Sequence, residues 1–142
     1  MNVKLILMLG ALGALEAAAM LAGLIHAGVE GYVTAALAVL IGVIAGLTAP
    51  RRPFLHGLLA GGLATMLEPL ILAAFFDRYQ SLNPDAVKSL QALPAGIAPR
   101  AVVLVAAPVL GILYGLCIGL LAWIVSKVAR RSSQSPKTPA LT

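Results

Sequence analysis

Four apolar runs, each close to or beyond the roughly twenty residues a helix needs to cross a bilayer, dominate this 142-residue chain. Such runs leave few choices of structure. Hydrocarbon offers no partner for backbone N–H and C=O groups, so a spanning segment must satisfy them within itself, as a helix does. The runs cover roughly Val3 to Ala27, Tyr32 to Ala49, Phe54 to Phe76 and Ala101 to Val128. Composition agrees: 61% of residues are hydrophobic and 11% charged, with a mean hydropathy of +1.00. A soluble domain of this size would need far more polar surface. The expected fold is all-α, a polytopic membrane protein built as a four-transmembrane-helix bundle, with residues 1–130 forming one transmembrane domain.

Turn chemistry separates the runs. Gly28 and Gly31 follow the first, and Pro50 and Pro53 flank Arg51-Arg52 after the second. The longest break, 77–100, holds Pro84, Pro94, Gly96 and Pro99. Within it, Asn83-Pro84-Asp85 has the form of a helix start: a capping side chain, a proline at the first helical position, and an acid near the positive helix end. Val87, Leu90 and Leu93 then make an apolar stripe, so Pro84 to Ala92 is expected as a short interfacial helix on the outer membrane surface, with a plain loop as the alternative. Residues 131–142 are basic and rich in Ser and Pro, and are expected to form a disordered cytoplasmic tail.

Net charge is +5, but the basic residues sit at the ends of apolar runs rather than in one patch. There they orient helices in the bilayer, and nucleic acid is excluded as a partner. With the N-terminus inside, the inner side collects Lys4, Arg51, Arg52, Lys127, Arg130, Arg131 and Lys137, against Arg78, Lys88 and Arg100 outside. The expected placement is a plasma (inner) membrane with both termini cytoplasmic. Trp123, Tyr32 and Tyr79 fall near span ends, as aromatic belts require. Lys4, the run Leu5 to Leu15 and Ala17-Ala18-Ala19 also have the outline of a cleaved signal, but apolar sequence continues to Ala27, as a retained helix needs. The single cysteine, Cys117, allows neither an intrachain disulfide nor a thiolate cluster. No metal site and no cofactor are expected.

Ridges of small residues mark helix contacts. The second run carries Ala38, Gly42 and Gly46 at four-residue steps, and the fourth carries Ala107, Gly111, Gly115 and Gly119. Such spacing lets backbones approach closely enough for dispersion and weak Cα–H hydrogen bonds to hold helices together in lipid. In the third run Gly57, Gly61, Ala64, Thr65 and Glu68 share one helical face. Pro69 there and Pro108 in the fourth run remove a backbone donor each, which frees the carbonyls of Thr65 and Leu104 and is expected to bend both helices. Tyr114 and Cys117 are expected to pack against neighbours.

Glu16 and Glu68 are the candidate proton- or cation-binding residues. An ionisable side chain within a span is costly and marks function by default. If the first and third helices run the same way, counting 1.5 Å per residue sets both acids roughly 20 Å from the cytoplasmic end. Two carboxyls at one depth could face one another, share a proton or hold a cation. The blander reading is a glutamic acid that hydrogen-bonds the carbonyl freed at Thr65 and merely ties helices together. His26 and Glu30, four apart, could share a face near the outer end of the first run, but interfacial placement is expected for His26, as for His56 at the inner surface.

Four short spans with an acid in the first, here within LGALGALEAAAML, resemble the small multidrug resistance transporters. The chain departs from that family in lacking drug-site aromatics in its second and third spans, and in its second acid, long outer loop and tail. No membership follows. The expected function is a proton- or cation-handling transporter or channel in the lipid bilayer, as a homo-oligomer or within a larger membrane complex. The alternative is a non-catalytic accessory or assembly subunit that docks through the ridges of the second and fourth spans. An enzyme is not expected, because no nucleophile–base pair, metal cluster or phosphate-binding loop is present.

Overall fold

The computed structural model describes residues 1–49, 51–85, 88 and 98–133. Among the described residues five helices are delimited, in order: α1 (Val3–Leu21), α2 (Ala27–Thr48), α3 (Pro53–Ala74), α4 (Phe76–Leu82) and α5 (Pro99–Ser133). All but α4 are long and apolar enough to cross a membrane. The chain is a four-helix bundle of a multi-pass membrane protein, with no strand among the described residues. Its outside is apolar, with Leu15 66% and Val105 72% exposed, as expected of surfaces that meet lipid rather than water.

Local chemistry sets the helix ends. Asn2 caps α1, its Oδ1 accepting from the Leu5 N–H at 3.1 Å. At the other end Gly23 takes φ +75°, and two closing bonds form, Gly23 N–H to Met20 O and Leu24 N–H to Ala19 O. That pair of bonds is the Schellman closure, which needs a left-handed residue where only glycine is unstrained. The first span therefore stops at Leu21 rather than Ala27. The second begins at Ala27 rather than Tyr32, because Gly28 and Gly31 lie inside its opening turns instead of breaking the chain. Proline opens α3 at its first turn, where no backbone donor is missed. Phe75 then makes a corner into α4, a helix inside the expected loop that the sequence reading did not anticipate.

Asn83 closes α4, its backbone N–H and Nδ2 both donating to the Tyr79 carbonyl, and helical structure resumes directly after it at Pro84 and Asp85, as expected, with Lys88 helical as well. Most of the helix expected over Pro84 to Ala92, and the tail from residue 134, lie outside the described residues. The fourth span runs past its expected end at Val128 as far as Ser133. A helix does not stop where its apolar run stops, and Arg130 and Arg131 favour the negative end of the helix dipole. Two further arginines sit on helix C-termini at the α4 end: Arg78 donates to the Leu21 carbonyl and Arg100 to the Ala74 carbonyl, each at 3.3 Å.

Helix α3 stands centrally and touches the other four. Against α5 it packs backbone to backbone in an antiparallel register. A Cβ added at Gly111, Gly115 or Gly119 would come within 3.3 Å of backbone at Gly62, Leu58 and Phe54 respectively. Gly57 approaches the Ile118 backbone of α5 in the same way, and Gly61 receives the Ile118 side chain. Against α1, Ala64 fills the notch left by Gly13. Helix α2 meets α5 only toward its C-terminal half, where Gly42 receives Leu121 and Gly46 receives Ala122 and Val125. Ile6, Ile41, Ala45, Ala60, Ile118 and Ala122 are buried around these crossings. The ridge glycines Gly42, Gly46, Gly111, Gly115 and Gly119 are thus engaged within the chain.

His56, expected at the inner surface, is 5% exposed, in the opening turn of α3. Its Nε2 accepts from the Asn2 backbone N–H at 2.9 Å, so the ring proton lies on Nδ1, which donates to the Arg52 carbonyl at 2.8 Å. A neutral imidazole thereby ties the start of α1 to the start of α3.

Candidate functional site

Helices α2 and α5 close upon each other around Gly42 and Gly46 and leave a space nearer the N-terminal end of α2. That space is a chamber of about 310 Å³, walled by α2, α3, α4 and α5. Below it lies a second cavity of about 20 Å³, room for about one water molecule. The two share Thr34, Thr65, Glu68 and Tyr114. The structure therefore brings Glu16 and Glu68 to one small cavity, with Glu68 facing the larger chamber as well.

Three helices supply the acids. Glu16 on α1 is 5% exposed, on a helix whose Ala17 and Met20 are also buried. Thr34 of α2 reaches it across the interface, Oγ1 to Oε1 at 2.7 Å. Glu68 of α3 precedes Pro69, which sits inside the helix without ending it. Among the described residues Glu68 has no hydrogen-bond partner, so the carbonyl freed at Thr65 does not tie it down. The Thr65 hydroxyl is turned back to the Gly61 carbonyl. Pro108 of α5 is exposed on the bundle surface and lines neither cavity.

Glu30 is the third acid, and sequence reasoning placed it wrongly. Its neighbourhood, IHAGVEG, offers a glycine on either side and gave no sign that the second span had already begun. Once α2 starts at Ala27, Glu30 falls in the first turn and lines the chamber, while His26 caps the helix from outside it. Tyr79 of α4 donates its hydroxyl to Glu30 Oε2 at 3.3 Å. Burial, then the charge of Glu30 and the bond to it, then the charge of Glu68, push the Tyr79 phenol up to about 12. It therefore stays a donor at every physiological pH. The one signal that could have found this corner was Thr34, a polar residue in an apolar run one turn after Glu30.

The remaining walls are Leu72, Phe76, Val103, Leu110 and Tyr114. Tyr114, expected merely to pack, lines both cavities. No lysine or arginine among the described residues lines either one, and no three His, Cys, Asp or Glu side chains there lie close enough to share a metal ion. A larger groove of about 620 Å³ between α1, α3 and α5 is lined by Met, Leu, Ile, Val and Gly and carries no ionisable side chain.

Fold and cavity together describe a four-helix membrane bundle with an acid-lined chamber reaching into its core. Comparisons with family models, curated proteins and solved structures found no match to this chain.

Proposed function

We propose that this protein is a small carrier that binds a cation in the chamber and exchanges it for protons held on its carboxyl groups. One observation carries the reading: carboxyls from three helices converge on connected cavities within the bundle, with no basic side chain there to neutralise them. A charged side chain at the centre of a bilayer-spanning helix costs about 2.5–3.5 kcal/mol or more. A bundle needing only to hold together could place leucine at each position. Nothing in the local packing offsets the cost at Glu68, which has no hydrogen bond among the described residues.

The shape of the space favours an organic monocation over a bare metal ion. A metal wants several oxygens converging at short range, whereas this chamber is roomy and mostly apolar. Phe76, Tyr79 and Tyr114 line it, and aromatic rings attract cations. The excess of basic residues on the side that holds both termini supports a cytoplasmic placement for them, and in that orientation the chamber would open toward the outside of a plasma membrane.

The test is flux in proteoliposomes carrying a pH gradient, with a fluorescent organic monocation as probe. Wild-type protein should take up the probe and release protons. Glu68→Gln, still folded by circular dichroism, should lose both. Proton-linked uptake that survives Glu68→Gln unchanged removes the reading.

A further inference from the structure

Thr34 has one hydroxyl hydrogen and two acceptors within reach. Its Oγ1 lies 2.7 Å from Glu16 Oε1 and 3.0 Å from the main-chain carbonyl oxygen of Glu30. If Glu16 is an ionised carboxylate it brings no hydrogen, and the hydroxyl can serve one acceptor alone. The charged carboxylate is the stronger of the two, so the hydrogen turns to Glu16. The Glu30 carbonyl then keeps only its helical N–H. If Glu16 is protonated, its own O–H donates to Thr34 Oγ1 and the Thr34 O–H donates onward to Glu30. Both short contacts are then hydrogen bonds, in a chain running from α1 to the first turn of α2.

We propose that Thr34 is a positioning residue that converts the proton on Glu16 into a change in α2, where Glu30 stands at the wide end of the chamber. The inference rests on the reading above that Glu16 exchanges a proton. The hydrogen count is simple. One proton, delivered by water reaching the small cavity, bonds to Glu16, and the Thr34 hydroxyl rotates without gaining or losing one. A threonine hydroxyl bonded to the carbonyl four residues back bends its helix. Protonated Glu16 therefore bends α2 beside Glu30, and ionised Glu16 releases it. The ionisable groups that share these cavities are Glu68 from α3, Glu30 on α2 itself, Tyr79 from α4 and Tyr114 from α5. None carries positive charge that could hold Glu16 ionised in place of Thr34.

The measurement is infrared difference spectroscopy of the full chain in lipid during a pH titration, with no transported cation present. The protonated-carboxyl stretch that vanishes in Glu16→Gln belongs to Glu16. Thr34→Val keeps the volume and removes the hydroxyl, and should move that band to higher wavenumber, toward a carboxyl without a hydrogen bond. Thr34→Ser should restore the wild-type position. A band at one position in wild type, Thr34→Val and Thr34→Ser overturns the proposal, as does the absence of any Glu16 band across the titration. Should Thr34→Val not fold, the serine and wild-type spectra decide: a Glu16 band at the position of a free carboxyl in both overturns the chain of bonds, and a hydrogen-bonded band in both supports it. Because no substrate enters, a failed flux assay and a failed band shift point to different errors.

Discussion

Replacing Gly13 by alanine adds one methyl group where α1 lies against α3. A Cβ at that position would stand 2.5 Å from the Ala64 carbonyl carbon and 2.8 Å from its Cα, with the carbonyl oxygen nearer still. Carbon atoms in contact prefer about 3.5–4.0 Å, so the helices must part by roughly 1 Å. The obstacle is backbone, which cannot rotate aside as a side chain can. Overpacking of this kind costs about 1–3 kcal/mol, and the upper half of that range is expected here. Gly13 also lines the small cavity one turn before Glu16, so parting the helices draws Glu16 away from Thr34. Reversible unfolding by titrating a denaturing detergent into mixed micelles reads the stability. Gly28→Ala supplies the matched control, since nothing lies within 4 Å of its added Cβ. That change should be neutral or stabilise by up to about 1 kcal/mol. A Gly13→Ala protein as stable as wild type, or equal damage from the two alanines, would refute the close contact of α1 with α3.

Further perturbations test other parts of the structure. Gly115→Leu, aimed at the Leu58 carbonyl and Gly62, should destabilise the single chain by at least about 2 kcal/mol in the same titration; a variant that alters only the size of a complex would mean that the ridge serves another molecule. His56→Leu removes the acceptor of the Asn2 N–H and the donor to Arg52. It should cost about 1 kcal/mol and speed amide exchange at Asn2, and unchanged exchange there would discount the tie. Tyr79 has its phenol raised from the ordinary 10 to about 12, so its stabilising effect is complete below about pH 10 and fades as pH rises toward 12. Tyr79→Phe should remove the latest component of the tyrosinate absorbance titration, and a titration with no component that late would contradict the burial of this ring.

Much of the bundle could be read from the residues because hydrophobic length and small-residue spacing are local signals. Counting rise from Val3 and from Phe54 was enough to match the depths of Glu16 and Glu68, since both helices start within a residue or two of where their apolar runs do. The glycines at 111, 115 and 119 could be read as a contact ridge, though not that Phe54, Leu58 and Gly62 would receive them. What escaped was set by contacts distant in sequence. Gly23, Gly28 and Gly31 look equivalent in the sequence, and the choice of Gly23 as the end of α1 goes with Arg78 reaching the Leu21 carbonyl from 57 positions away. With that boundary misplaced, Glu30 was read at the outer end of the first run and Tyr79 as an aromatic-belt residue at a span end. Two of the groups that line the chamber were therefore missed together, for one reason.

The seating of Leu121 and Val125 against Gly42 and Gly46 fixes where α2 and α5 can move relative to each other. Leu110, on the chamber wall, lies eleven positions before Leu121, a lever arm of about 16 Å at 1.5 Å per residue. Rocking α5 about that seat by roughly 4° would swing Leu110 by about 1 Å, in keeping with the small helix displacements by which packed bundles switch. On that geometry the seam would serve as a fulcrum, with modest tilts there magnified toward the vestibule.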